Sequence, residues 1–291
     1  MRSKVKKHRI WELDFFRGFA ILMVVWDHLM VDFTLFGNSW MSVDWLNRLS
    51  IFGWDYVGSD LRIFWRPVFL FIFFTVSGLC TAFSKNNLWR GIKLALVSIG
   101  LSIFTYLFSL FSGEDYFILF GVLHCMAAII IIYALLRLAW EGMFKLVEFF
   151  RKKEISPIVK KLAFCFVCLA LSAVFFWIHS EYNASVYATG KAKFIDYDKA
   201  VMGIFFYTRQ LQTADYFPLF PYISYFFLGA GLSGFLYPQK KSLFPMLDGK
   251  WNKAFTIPGR YSLIIYLSTQ LVLFLVLSVI TFFETGRFPF L

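Results

Sequence analysis

The stretch Asp14–Leu35, DFFRGFAILMVVWDHLMVDFTL, decides how the chain is read. It is apolar enough to cross a bilayer, whose hydrocarbon core takes about 20 helical residues. Yet it carries Arg17, Asp27, His28 and Asp32. Ionisable groups inside a span are costly and mark functional paths. At about 100° per residue, Arg17 and His28 lie roughly 20° apart around a helix axis. Asp14 and Asp32 fall within roughly 60° of Arg17. One face therefore reads Asp14, Arg17, Ile21, Val24, His28, Asp32, and it should not meet lipid. Asp27 points off that stripe and is expected to pair with another helix.

The rest of the chain fits this opening. Of its 291 residues, 59% are hydrophobic and only 16% charged, with 39 phenylalanines. A soluble domain cannot hide so much apolar surface. The expectation is an all-α, polytopic transmembrane helical bundle, one domain over 1–291, with about seven spans. Apolar runs place these at about 15–36, 64–84, 93–111, 117–139, 162–178, 218–237 and 261–283. Residues 37–62 read as an interfacial segment rich in Trp. Residues 140–161 read as a charged, amphipathic connector, 179–199 as a polar loop, and 200–208 as a piece too short to span. Pro218 and Pro221 are expected at a helix start, and Gly229, Gly231 and Gly234 at a close helix approach. The basic N-terminus precedes a long apolar run without a small-residue cleavage site, so no cleavable signal is expected.

The formal net charge of +11 excludes little by itself. In a membrane protein it reads as topology rather than as a nucleic-acid surface. The tail and the links at 85–93, 141–161 and 238–260 hold 19 Lys and Arg, against 8 on the other side. That bias puts the N-terminus of an integral membrane protein in the cytoplasm. Arg17 then lies near the cytoplasmic boundary, and His28 about 16 Å deeper. His124, near the start of a span running inward, reaches a comparable depth. Arg137 reads as an anchor, and His8 and His179 as solvated. The sequon Asn183-Ala184-Ser185 would face outward, a weak match. Cys165 and Cys168 form a lone CxxC in an apolar run, and read as core residues rather than as a metal site.

A neutral imidazole can take a proton from a hydroxyl or amine, and a nearby carboxylate can orient it. His28 and Asp32 suit those roles, with His124 as a second imidazole. Arg17 suits a phosphate-bearing ligand at the cytoplasmic mouth, helped by Lys93 or Arg260. A transporter or exporter of a sugar or amphiphile would use the same stripe as a path. No internal repeat supports that alternative.

The segment 9–28, RIWELDFFRGFAILMVVWDH, resembles the opening of the heparan-alpha-glucosaminide N-acetyltransferase catalytic-domain family, of the transmembrane acyltransferase superfamily. Arg17 and His28 reproduce the superfamily's Arg-x10-His spacing. Similar pieces follow in order: FLFIFFTVSGL at 69–79, FGVLHCMAAIIIIYALL at 120–136, DYFPLFPYISYFFLGAGLSG at 215–234 and GRYSLIIYLSTQ at 259–270. The resemblance implies use of acyl-CoA, most often acetyl-CoA, to acylate a sugar-like acceptor reached from the other side. Membrane lipid is then the surroundings, no nucleic acid is a partner, and no metal is called for. It implies a donor site at Arg17 with Asp14, a catalytic His28, His124 from the FGxLH pattern, and acceptor contacts at Asp215, Tyr216 and Gln270. Thr269 stands where many relatives have His before this Gln.

Overall fold

The computed structural model describes residues 9–113, 116–189, 200–208 and 215–287. The basic tail with His8, the acidic link Glu114–Asp115, the basic residues Lys191, Lys193 and Lys199, and Arg209 lie outside the described residues. The described chain is helical: α1 (Trp11–Leu35), α2 (Gly37–Trp40), α3 (Asp44–Val57), α4 (Asp60–Leu79), α5 (Asn87–Ser112), α6 (Val122–Arg151), α7 (Pro157–Thr189), α8 (Tyr222–Leu236), α9 (Lys253–Arg260) and α10 (Ser262–Thr285). Six are long and apolar enough to cross a membrane, and α8 is a shorter apolar helix.

Three stretches differ from the sequence expectation. Helix α6 runs on through the expected connector to Arg151, because EGMFKLVEFFR contains no proline and holds Glu, Met, Lys, Leu and Arg, which are good helix formers; Lys152, at φ 51°, ends it. Helix α7 runs on to Thr189, since no Gly or Pro interrupts 179–189. Within 37–62, α3 does not stand apart from the bundle. Ser50 packs on Gly37, Gly53 on Met30, Phe33 and Thr34, and Tyr56 lies beside Trp26. It therefore returns antiparallel along the second half of α1. Leu46, Ser50, Gly53 and Tyr56, a stripe at helical spacing, are its buried face.

The chain forms two compact units that divide inside α4. One holds the residues up to Phe73 and those from Lys241 onward; the other is Phe74–Lys240. In the first unit, α1 and α10 pack in parallel. The His28 and Tyr266 rings are 6.4 Å apart, Gln270 Nε2 donates to Asp32 Oδ1 at 2.7 Å, Phe36 meets Phe274 at 5.4 Å, and Trp40 Nε1 donates to Thr281 Oγ1 at 2.7 Å. Both helices advance together through these pairs. Two parallel spans need an odd number of crossings between them. The long helices begun by α4, α5, α6 and α7 supply four, and α8 supplies the fifth. Contacts within one unit thus favour counting α8 as a span. The core here is Met30, Phe33, Phe36, Trp40, Leu46, Tyr56 and Leu277.

In the second unit, Tyr133 of α6 sits among the rings of Phe164, Phe226 and Phe227. Ser172 Oγ donates to the Ser224 carbonyl at 2.7 Å, joining α7 to α8. A Cβ on Gly229 would overlap the Thr75 carbonyl, so α8 and the end of α4 touch backbone to backbone. The CxxC thiols are buried, with Cys165 Sγ packed on Gly234.

Candidate active site

Helix α1 brings together most of what the sequence singled out. At its start, α9 crosses it so closely that a Cβ on Gly18 would overlap the Phe255 carbonyl, and one on Gly259 the Asp14 carbonyl. Only glycine permits that approach. The crossing sets Arg260 beside Asp14, at 3.5 Å. Arg17 and Arg9 approach the same buried carboxylate at 3.6 and 3.7 Å. Among the described residues, three guanidinium groups thus surround one carboxylate, and Asp14 Oδ2 accepts no hydrogen bond. The cluster keeps an excess of positive charge, which suits an anionic ligand rich in oxygen acceptors. Lys93 belongs to the second unit, where its Nζ lies over the Trp89 ring at 5.3 Å.

Further along the same face lie His28 and, one turn on, Asp32. His28 is half-buried beside Tyr266. Asp32 is buried; its Oδ1 accepts from Gln270, while Oδ2 is buried with no hydrogen-bond partner among the described residues. The hydrogen bond fixing the carboxylate therefore comes from α10. Gln270, which the resemblance links to the acceptor, is the residue that holds Asp32.

Asp27 has the strongest set of partners. Arg62 Nε and Nη2 donate to its two oxygens at 2.7 and 3.2 Å, Arg66 approaches at 3.8 Å, and Tyr56 OH lies at 3.4 Å. The expected partner helix exists, and it is α4, with α3 alongside. Burial first, and then the Asp27 charge, push the Tyr56 phenol above its ordinary range. In the sequence, Arg62 and Arg66 count only as outer-side charge and Tyr56 only as an interfacial aromatic, not as partners of Asp27. The signal was present: two arginines at i, i+4 open an apolar span directly after a span with an unexplained Asp.

The remaining candidates lie in the second unit, at the start of α6. Gly121 N–H donates to His124 Nδ1 at 3.3 Å, so the ring proton is on Nε2, 3.0 Å from Ser102 Oγ. Ser102 in turn donates to the Ile118 carbonyl at 2.6 Å. Both nitrogens of His124 are occupied in fixing this helix start. Asp215 Oδ2 accepts from the Val122 N–H at 3.4 Å, a carboxylate at a helix N-terminus. Tyr216 OH is within hydrogen-bond reach of the Gly203 and Phe206 carbonyls. The FGxLH and DYFPL pieces thus meet to build local structure. Asn183 lies inside α7, with Nδ2 2.9 Å from His179 Nε2. Arg137 pairs with Glu141 at 3.0 Å.

The family model described as heparan-alpha-glucosaminide N-acetyltransferase, catalytic, matches residues 9–271. The chain belongs to this family. The match takes in both charge clusters of α1 and the start of α10 as far as Leu271. Membership makes the protein an integral-membrane transferase of the acetyltransferase kind. No curated protein and no solved structure matches the chain.

Proposed function

We propose that the protein moves an acetyl group from cytoplasmic acetyl-CoA to a hydroxyl or amine of a sugar-like acceptor on the other side of the membrane. The chain acts as one catalytic domain, with its N-terminus in the cytoplasm. The observation that carries this reading, given the family, is the polar face of α1. It holds an arginine-rich cluster at one end and an imidazole eleven residues, or about 16 Å, further along.

Arg17 and Arg260, steadied by Asp14, bind the phosphates of the donor. Guanidinium groups suit this because they give planar, directed donors to phosphate oxygens. The thioester reaches along α1 toward His28. His28 takes the proton of the acceptor O–H or N–H as the acceptor atom attacks the thioester carbonyl. The carbon–sulfur bond then breaks, and the imidazolium returns the proton to the thiolate. Asp32, held by Gln270, supplies negative charge one turn away that favours the charged imidazole. His124, Asp215 and Tyr216 support the framework.

Titration of the purified protein with acetyl-CoA, followed by CoA release with a panel of hexoses and amino sugars, tests this. Saturable binding is expected, weakened at least tenfold in Arg17→Ala. His28→Ala is expected to keep binding and to lose roughly 10²–10⁴-fold in turnover. Unchanged binding in Arg17→Ala together with unchanged turnover in His28→Ala would end this reading.

A further inference from the structure

The segment Lys241–Arg260 is unlike the spans on either side of it. It contains two single 3-10 turns, Pro245–Leu247 and Lys250–Asn252, followed by the eight-residue α9. Polar bonds tie its start to the first turn of α1. Glu12 accepts from Leu243 N at 2.7 Å and from Ser242 Oγ at 2.8 Å, and Trp11 Nε1 donates to the Phe244 carbonyl at 3.0 Å. Nevertheless Leu243, Phe244, Met246, Leu247, Trp251 and Ile257 turn outward, with Met246 96% exposed. Lys241, Lys250 and Lys253 are exposed among them.

Two constraints fix where such a segment rests. Irregular backbone facing lipid is not tolerated in the hydrocarbon core, because its polar groups find no partners there. A contiguous apolar patch is disfavoured in water. The headgroup region satisfies both, accepting apolar side chains at shallow depth and hydrating the backbone. Lysines among those side chains add attraction to anionic headgroups and none to neutral ones.

We propose that Lys241–Arg260 is a docking surface for anionic lipid, seated in the headgroup layer with Met246 and its neighbours inserted and the three lysines on lipid phosphates. The occupant is lipid rather than a second copy because the patch mixes apolar side chains with an excess of positive charge, Lys241, Lys250 and Lys253 against the single carboxylate of Asp248. Two copies facing each other through it would oppose like charges. This surface does not depend on the acyltransferase reading.

A nitroxide on Met246→Cys, in a Cys80→Ser background, tests it in vesicles of phosphatidylcholine with and without phosphatidylglycerol. With phosphatidylglycerol the label should be reachable by oxygen and shielded from a water-soluble nickel chelate, about 5–10 Å below the phosphates. The shielding should fall in pure phosphatidylcholine and in the triple variant Lys241→Gln/Lys250→Gln/Lys253→Gln. All three lysines are exposed, so the variant keeps the fold. Native mass spectrometry gives a second readout, in which the triple variant should lose at least tenfold of its retained phosphatidylglycerol. Free access of nickel in both vesicles would overturn the proposal. So would depth that ignores lipid charge and lysine content, or shielding that appears only when copies are cross-linked. None of these readings uses acetyl-CoA, so failure of the catalytic proposal leaves the test standing.

Discussion

Asp14 and Asp27 stand on one helix, thirteen residues apart, and each faces more than one arginine. Their geometry differs. Asp27 is gripped by Arg62 through two hydrogen bonds, the shorter 2.7 Å. Among the described residues, Asp14 has three arginines at 3.5 to 3.7 Å and accepts no hydrogen bond through Oδ2. The first arrangement uses up its donors inside the protein and fastens α4 to α1. The second is a set of longer ion pairs, at the cluster proposed to bind the donor phosphates. The same residue types meet a carboxylate in both places, and distance tells the two arrangements apart.

The comparison breaks most sharply at Arg62. Arg62→Leu strands a buried carboxylate, and should cost about 3–5 kcal/mol in unfolding measured in detergent micelles. Asp27→Leu/Arg62→Leu should recover most of that loss, because both charges go together. Arg17→Ala, by contrast, should cost less than about 1 kcal/mol while reducing acetyl-CoA binding. If Arg17→Ala proves as destabilising as Arg62→Leu, the two clusters are alike and the contrast fails. Next in size is Gly259→Val, which forces α9 off α1. It should cost about 1–3 kcal/mol and weaken acetyl-CoA binding by displacing Arg260, read by the same two assays. Gln270→Leu leaves Asp32 buried with neither oxygen paired, about 1–3 kcal/mol, and should lower turnover without altering donor affinity. Smallest is Ser102→Ala, about 1 kcal/mol, with turnover unchanged, since His124 fixes a helix start. A large fall in turnover there would return His124 to the chemistry.

The spans were legible because apolar runs of about 20 residues have few other uses. The polar stripe was legible because helical periodicity sorts Arg17, His28 and Asp32 onto one face and Asp27 off it. The partners were not. Gln270 is 238 residues from Asp32, and no local pattern links them. The return of α3 along α1 was hidden by its tryptophans, which suit a headgroup layer as well as a helix contact. The contacts of His124 were hidden for another reason. A His three residues after a Gly can close a helix start, and the sequence alone gives that role and catalysis the same letters. The extensions of α6 and α7 were missed because polarity was taken to end a helix, whereas helix-forming side chains and the absence of Pro decide it.

The parallel pairing of α1 with α10 has a consequence for biosynthesis. Helix α1 leaves the ribosome first, and the amide that satisfies Asp32 is made 238 residues later. At about 5–20 residues per second, the first helix waits roughly 10–50 s before Gln270 exists. During that interval Asp32 and His28 are held in the membrane without their α10 neighbours. The nascent chain is therefore at its most vulnerable early, and becomes secure only when its last helix arrives.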